Sequence, residues 1–225
     1  MIVIGSPLHV ATEAGSRAGG FAVAVARAAA AAGARVEIVG KVGEDPAGDA
    51  VLLDLAASGI GHVAVLRNPG RPTGIEVPPA EPESAPFDEP GVAAAGRDGG
   101  GVVVGAPPPQ GAPLDAADIG LALRYIPEYR AIVTAEPLVP DALEAAAAAA
   151  RWAGAALVVV IAAGDPPPTA LGPEATVLEA QADDPDGTFA RVVGEYAARL
   201  DRGEPPAEAF AAASSGTGWT SATDA

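Results

Sequence analysis

The chain has 225 residues, 49% hydrophobic but only 4% aromatic, so the core of a single domain must be built from Ala, Val, Leu and Ile. Its formal net charge is −16 and Lys41 is its single lysine; such a surface repels phosphate backbones and argues against nucleic acid as a partner. Cysteine is absent, which removes disulfides, thiolate chemistry and Cys-based zinc sites, and with only His9 and His62 as imidazoles no metal centre is expected.

No stretch approaches the roughly 18 apolar residues of a membrane span, and the start has no basic stretch ahead of an apolar one. A soluble, cytoplasmic protein without membrane contact is the expectation. The apolar run Ile2 to Ile4, ended by Gly5, predicts a buried strand. Residues 6–18 are expected to form a loop. Gly20 to Ala32 is Ala-rich and closed by Gly33, which predicts a helix. Val36 to Val39 follows as a strand. Asp45-Pro46 is a helix start, with Asp as the cap and Pro in the first turn, and the helix runs to near Gly59. Between strand and helix, Gly40, Gly43 and Gly48 suggest a turn with glycines at positive φ. His62 to Leu66 and Gly74 to Val77 are two further predicted strands.

Residues 78–100 are rich in Pro, Glu, Ala and Gly and lack a period, which predicts a flexible excursion. An ordered apolar run resumes at Val102 to Val104. In the second half Asp115 caps a helix to about Tyr125, Ala131 to Thr134 is a strand, and Pro140-Asp141 starts a helix to Trp152, an aromatic expected to serve packing. Leu157 to Ile161 is apolar throughout, as strands covered on both faces are. A short strand over Ala175 to Leu178 and helices at Thr188–Asp201 and Ala207–Ala213 complete the pattern, before a Ser/Thr/Gly tail over 214–225. The alternation predicts one α/β domain over residues 1–213 with a mainly parallel sheet.

The order of a double glycine (Gly19, Gly20), an Ala-rich helix, a β run, "GKVGEDPAG", a helix, "SGI", a β run and "RPTG" resembles the N-terminal half of the ribokinase/PfkB family of sugar and nucleoside kinases. The second half is similar to that family in layout. The resemblance implies a three-layer ribokinase-like domain, ATP and Mg²⁺ as cofactors where the enzyme is active, and a sugar or nucleoside as substrate. Residue by residue it implies a substrate pocket near His9, Gly19, Gly20 and Gly43. It places the catalytic base at Asp186, with Gly187 and Thr188 at the helix start that would hold phosphate.

The chain also departs from the family pattern. His9 stands nearest the position of a substrate-binding Asp, and Ala24 where an Asn is usual. Residues 10–18 are too few for lid strands, so the lid is expected to be largely missing. The family's Asp-Thr-x-Gly-Ala-Gly-Asp signature is reduced to Asp183-Asp184-Pro185-Asp186-Gly187-Thr188, with one glycine and with a proline that has no N–H for an anion hole. Glu179, Asp183 and Asp184 offer carboxylates for Mg²⁺ but no Asn-x-x-Glu motif. Ser6, Ser214 and Ser215 lack a hydrolase nucleophile elbow. Three readings remain open: a catalytically impaired kinase-like protein that keeps a small-molecule pocket; an active kinase with a rearranged site; and a non-catalytic assembly protein, such as a homodimer, that uses an exposed sheet edge.

Overall fold

The computed structural model describes residues 1–12, 15–76, 111–168, 171–172, 174–180, 184, 186–215 and 217. The expectations for 78–100, for Val102 to Val104 and for most of the tail lie outside the described residues. In chain order the elements are β1 (Ile2–Ile4), β2 (Leu8–Thr12), β3 (Gly15–Gly19), α1 (Phe21–Ala31), β4 (Glu37–Gly43), α2 (Pro46–Ala57) and β5 (Gly61–Asn68). Then come α3 (Ala116–Leu123), β6 (Ala131–Thr134), α4 (Pro140–Ala153), β7 (Ala156–Ile161), β8 (Thr176–Glu179), α5 (Thr188–Asp201) and α6 (Pro206–Ser214).

Six strands form one sheet in the order β5-β4-β1-β6-β7-β8, every neighbouring pair parallel. Because side chains alternate across a strand, the sheet feeds two cores. Val3, Ile38 and Val133 face one layer with residues of α1, α2, α5 and α6, whereas Ile2, Ile4, Val39 and Ile132 face the other with α3 and α4. This is an α/β/α sandwich; the alternating pattern predicts its parallel sheet and the resemblance implies its three layers, and burial of both sheet faces explains why Leu157 to Ile161 carries no polar residue. The small side chains of α1 and α4 let helices lie close to the sheet and to one another. Gly194 shows how close: a Cβ there would sit 2.6 Å from the Val25 carbonyl of α1 and 2.7 Å from Ala28 Cβ.

Three expectations are corrected. The segment read as a loop is an antiparallel ribbon, β2 paired with β3 from Leu8↔Gly19 to Thr12↔Gly15; the residues after β1 do suffice for two short paired strands. Its signal was faint because only Leu8 and Val10 alternate as apolar residues. Gly74 to Val77 contributes only an isolated bridge, His9↔Ile75, which joins this ribbon, and Val77 lies outside the described residues. Trp152 does not serve packing; it is 89% exposed.

Candidate functional site

The chain builds the sheet outward from β1 to one side (β4, β5) and then returns to the other side (β6, β7, β8). Adjacent crossovers therefore diverge at the carboxyl ends of β1 and β6, which leaves a crevice there, the usual ligand position in open α/β sheets. A cavity of about 650 Å³ occupies that place, within the size range of small-molecule sites. Ser6 and Glu136, which follow β1 and β6, supply its polar floor, and Leu8, Gly20 and Phe21 form one wall. Arg71 and Ile75 stand at its rim, and the segment 111–114 closes another side.

Glu136 is a cavity residue that sequence reading passed over. It belongs to no motif; the available signal was a carboxylate two positions beyond a four-residue apolar strand. Burial pushes its carboxyl above the usual carboxylate range, partly offset by the Ser6 N–H, which donates to Oε2 at 3.1 Å. On the far side of Glu136 lies a smaller cavity of about 110 Å³ between the ends of β6 and β7. The Thr134 hydroxyl beside it is buried without a partner among the described residues. The 111–114 wall is fixed by Lys41, whose Nζ donates to the Pro113 carbonyl at 3.1 Å and pairs with Asp118 at 2.5 Å.

The predicted substrate residues separate into two groups. Gly20 lines the cavity, with φ at 85° as the residue before α1. Its N–H donates to Glu76 Oε2 at 2.7 Å, and a Cβ on Gly19 would collide with that carboxylate and with Val10. The double glycine is thus needed for close approach, and what approaches is a side chain of this chain. His9 lies on β2 with Nε2 2.9 Å from Ser16 Oγ, and its neighbour Leu8 is the residue that reaches the cavity. Ala24 is exposed on α1.

Gly43 serves a different purpose. Gly40 and Gly43 lie within β4, and neither they nor Gly48 has a positive φ; close packing requires them. A Cβ at Gly40 would meet the Gly5 carbonyl at 2.7 Å, and one at Gly43 would meet the Thr73 nitrogen at 2.6 Å. Around Gly43, the Asp45 carboxylate caps α2 through the Gly48 N–H at 2.8 Å and also accepts from Thr73, at 2.8 Å from N–H and 2.6 Å from Oγ1. Gly43 N–H donates to the same Thr73 hydroxyl at 2.9 Å. Partial burial alone would raise the Asp45 carboxyl, but the bonds from Thr73 and Gly48 together hold it below its ordinary value. "GKVGEDPAG" and "RPTG" therefore form a clamp that fixes the segment carrying Arg71 and Glu76 beside the cavity.

At the other predicted site Gly187 has φ at 63° and precedes α5, and Asp186 is exposed. The helix start is already capped by Asp184, whose two carboxylate oxygens accept the Phe189 N–H at 2.9 Å and the Ala190 N–H at 3.1 Å. Glu179, the other described carboxylate considered for Mg²⁺, accepts from Gly164 N–H at 2.7 Å; Asp183 lies outside the described residues. The fold nevertheless brings the two glycine-led helix starts together, because Phe21 and Phe189 stack with ring centroids 5.4 Å apart. Asp186, Gly187 and Thr188 are not among the residues lining the switch-point cavity, from which Phe21 separates α5.

Comparison with known proteins agrees with this architecture. The family model described as pfkB family carbohydrate kinase matches residues 5–78, the part that contains the ribbon, the double glycine and the clamp. The fold is similar to that of an E. coli protein assigned as ribokinase II, in its apo form, at 13% identity and a TM-score of 0.59, covering 94% of this chain and 89% of that one. It is similar to the Arabidopsis thaliana ribokinase complexed with ribose and ATP at 15% identity and a TM-score of 0.58, again covering 94% and 89%. A Staphylococcus aureus protein assigned as a phosphofructokinase aligns at 14% identity and a TM-score of 0.54, covering 95% and 89%. At these identities the likeness establishes the ribokinase-like fold. By sequence, no curated protein matches the chain.

Proposed function

We propose that this ribokinase-like chain binds a small hydroxylated molecule of the sugar or nucleoside type in the switch-point cavity and has lost most of its phosphoryl-transfer capacity. The observation that carries this reading is Asp184. A helix N-terminus holds phosphate through unpaired N–H groups and a favourable dipole. Here two of those N–H groups are bonded to a carboxylate of the same chain. The residues at α5 therefore do not fit a triphosphate as they stand: it would have to displace an anion held by charge-assisted bonds. No phosphoryl-transfer step is assigned to this helix start, because the Phe189 and Ala190 N–H groups beside Asp186 that would stabilise phosphoryl charge are bonded to Asp184.

The cavity keeps what a hydroxylated ligand needs. Glu136, whose carboxyl pKa burial raises, offers its oxygens to a ligand hydroxyl, and Ser6 adds a second polar group on the same floor. Leu8 and Phe21 offer apolar surface to a ring face. The test is a panel of sugars and nucleosides with ATP and Mg²⁺, read both as thermal shift and as product formed. Ligand at about 100 times its Kd raises stability by about 2.7 kcal/mol. The expected result is stabilisation by members of the panel without ATP-dependent phosphorylation. Robust phosphorylation abolished by Asp186→Asn would replace this reading with that of an active kinase.

A further inference from the structure

We infer that the ligand of the switch-point cavity is anionic: a hydroxylated molecule with a carboxylate or phosphate at the end that meets Arg71. The inference rests on the reading that this cavity binds a small hydroxylated molecule, and it names the class. The cavity has two unlike poles. Its floor is Ser6 and Glu136, and its rim carries Arg71, the one cationic side chain among its described lining residues.

Glu136 and Arg71 form no ion pair with each other. The Glu136 carboxyl is governed by burial and by the Ser6 N–H, so Arg71 does not neutralise it. The arginine ion pairs of the described residues are made by Arg27, Arg67, Arg191, Arg199 and Arg202. Among the described residues Arg71 has none, in a chain of 29 acidic and 13 basic residues. The fold places it deliberately, since Thr73, two residues on, is clamped to Asp45 and Gly43, and the Arg71 carbonyl lies against Gly43. An arginine held at a cavity mouth, with no ion pair among the described residues, has its planar donor fork available for a carboxylate or phosphate. A ligand spanning the cavity would set hydroxyls against the floor and its charge against the rim.

The experiment is calorimetric titration of the full chain with ribose, glucose and fructose, each beside its sugar acid or terminal phosphate where one exists, and with acetate and inorganic phosphate. One anionic form is expected to bind about tenfold tighter than its neutral parent, the effect of a charge-assisted bond at a partly exposed site. The carboxylate and phosphate arms tell the two sources of charge apart. In Arg71→Gln that ratio should fall towards one, Arg71→Lys should keep part of it, and raising salt should reduce it in the wild type. Circular dichroism melts establish that the variants fold. A neutral sugar that binds as tightly as its acid or phosphate, or a ratio that survives Arg71→Gln, overturns this inference and leaves the cavity reading standing. Equal binding of acetate or inorganic phosphate also overturns it, because the hydroxyl pole would then contribute nothing. Failure of every sugar, neutral or charged, sinks the cavity reading and this inference with it.

Discussion

The starts of α1 and α5 are built alike and filled differently. Each follows a glycine with positive φ, Gly20 and Gly187, each begins with or near a phenylalanine, and the two rings stack. Each start also receives a carboxylate from the chain itself. At α1 it is Glu76, 56 positions away, delivered by the clamped return from β5 and bonded to one N–H. At α5 it is Asp184, only five and six positions from the two N–H groups that it caps. The difference teaches which site can adapt. The α1 start shares a cavity wall and depends on a long-range loop position, so its surroundings can be tuned without altering the helix. The α5 start is closed by its own local sequence, and opening it means destabilising the helix that begins there.

The most severe way to break this pairing is to push the two helices apart. Gly194→Val places a Cβ against the Val25 carbonyl, backbone that cannot give way, and is expected to cost about 3 kcal/mol or more in urea unfolding. Next is the clamp. Asp45→Ala removes the α2 cap and leaves Thr73 without its partner, with an expected loss of about 2 kcal/mol. Because the folded-state value of Asp45 is depressed, its stabilisation is present above the unfolded carboxylate pKa and is lost as pH falls through the lower folded value. Melts of wild type and Asp45→Ala should therefore converge towards acid pH, and a constant gap would count against the clamp.

Asp184→Ala sharpens the comparison directly. It should cost about 1 kcal/mol as a lost cap while freeing two N–H groups. The variant should show a larger thermal response to ATP with Mg²⁺ than the wild type does. An equal response would mean that the carboxylate does not obstruct phosphate. The smallest effect is expected at the cavity floor. Glu136→Gln keeps an acceptor for Ser6 and removes a carboxyl whose ionisation burial opposes, so a gain of a few tenths of a kcal/mol is expected at neutral pH. The folded pKa of Glu136 is raised, so the wild type recovers stability as pH falls through that value. The advantage of the glutamine should then disappear below the unfolded carboxylate pKa, which melts at stepped pH would read.

Much of this protein was legible from its residues. Apolar runs marked β1, β6 and β7, and Asp45-Pro46, Asp115 and Pro140-Asp141 marked the starts of α2, α3 and α4. These features depend on neighbours a few positions away, through side-chain period, capping and φ, which is why sequence alone determines them. The ribbon was less legible because its pairing rests on backbone bonds with little apolar patterning. The roles of individual site residues were decided elsewhere. Glu136 meets Ser6 across 130 positions, and Gly43 turns out to be a packing position for Thr73. Arg71 reaches the cavity rim because a clamp between residues 28 positions apart fixes its segment. Such contacts follow from the order of strands in the sheet, β1 lying between β4 and β6, and no local pattern encodes which distant segment a given side chain will face.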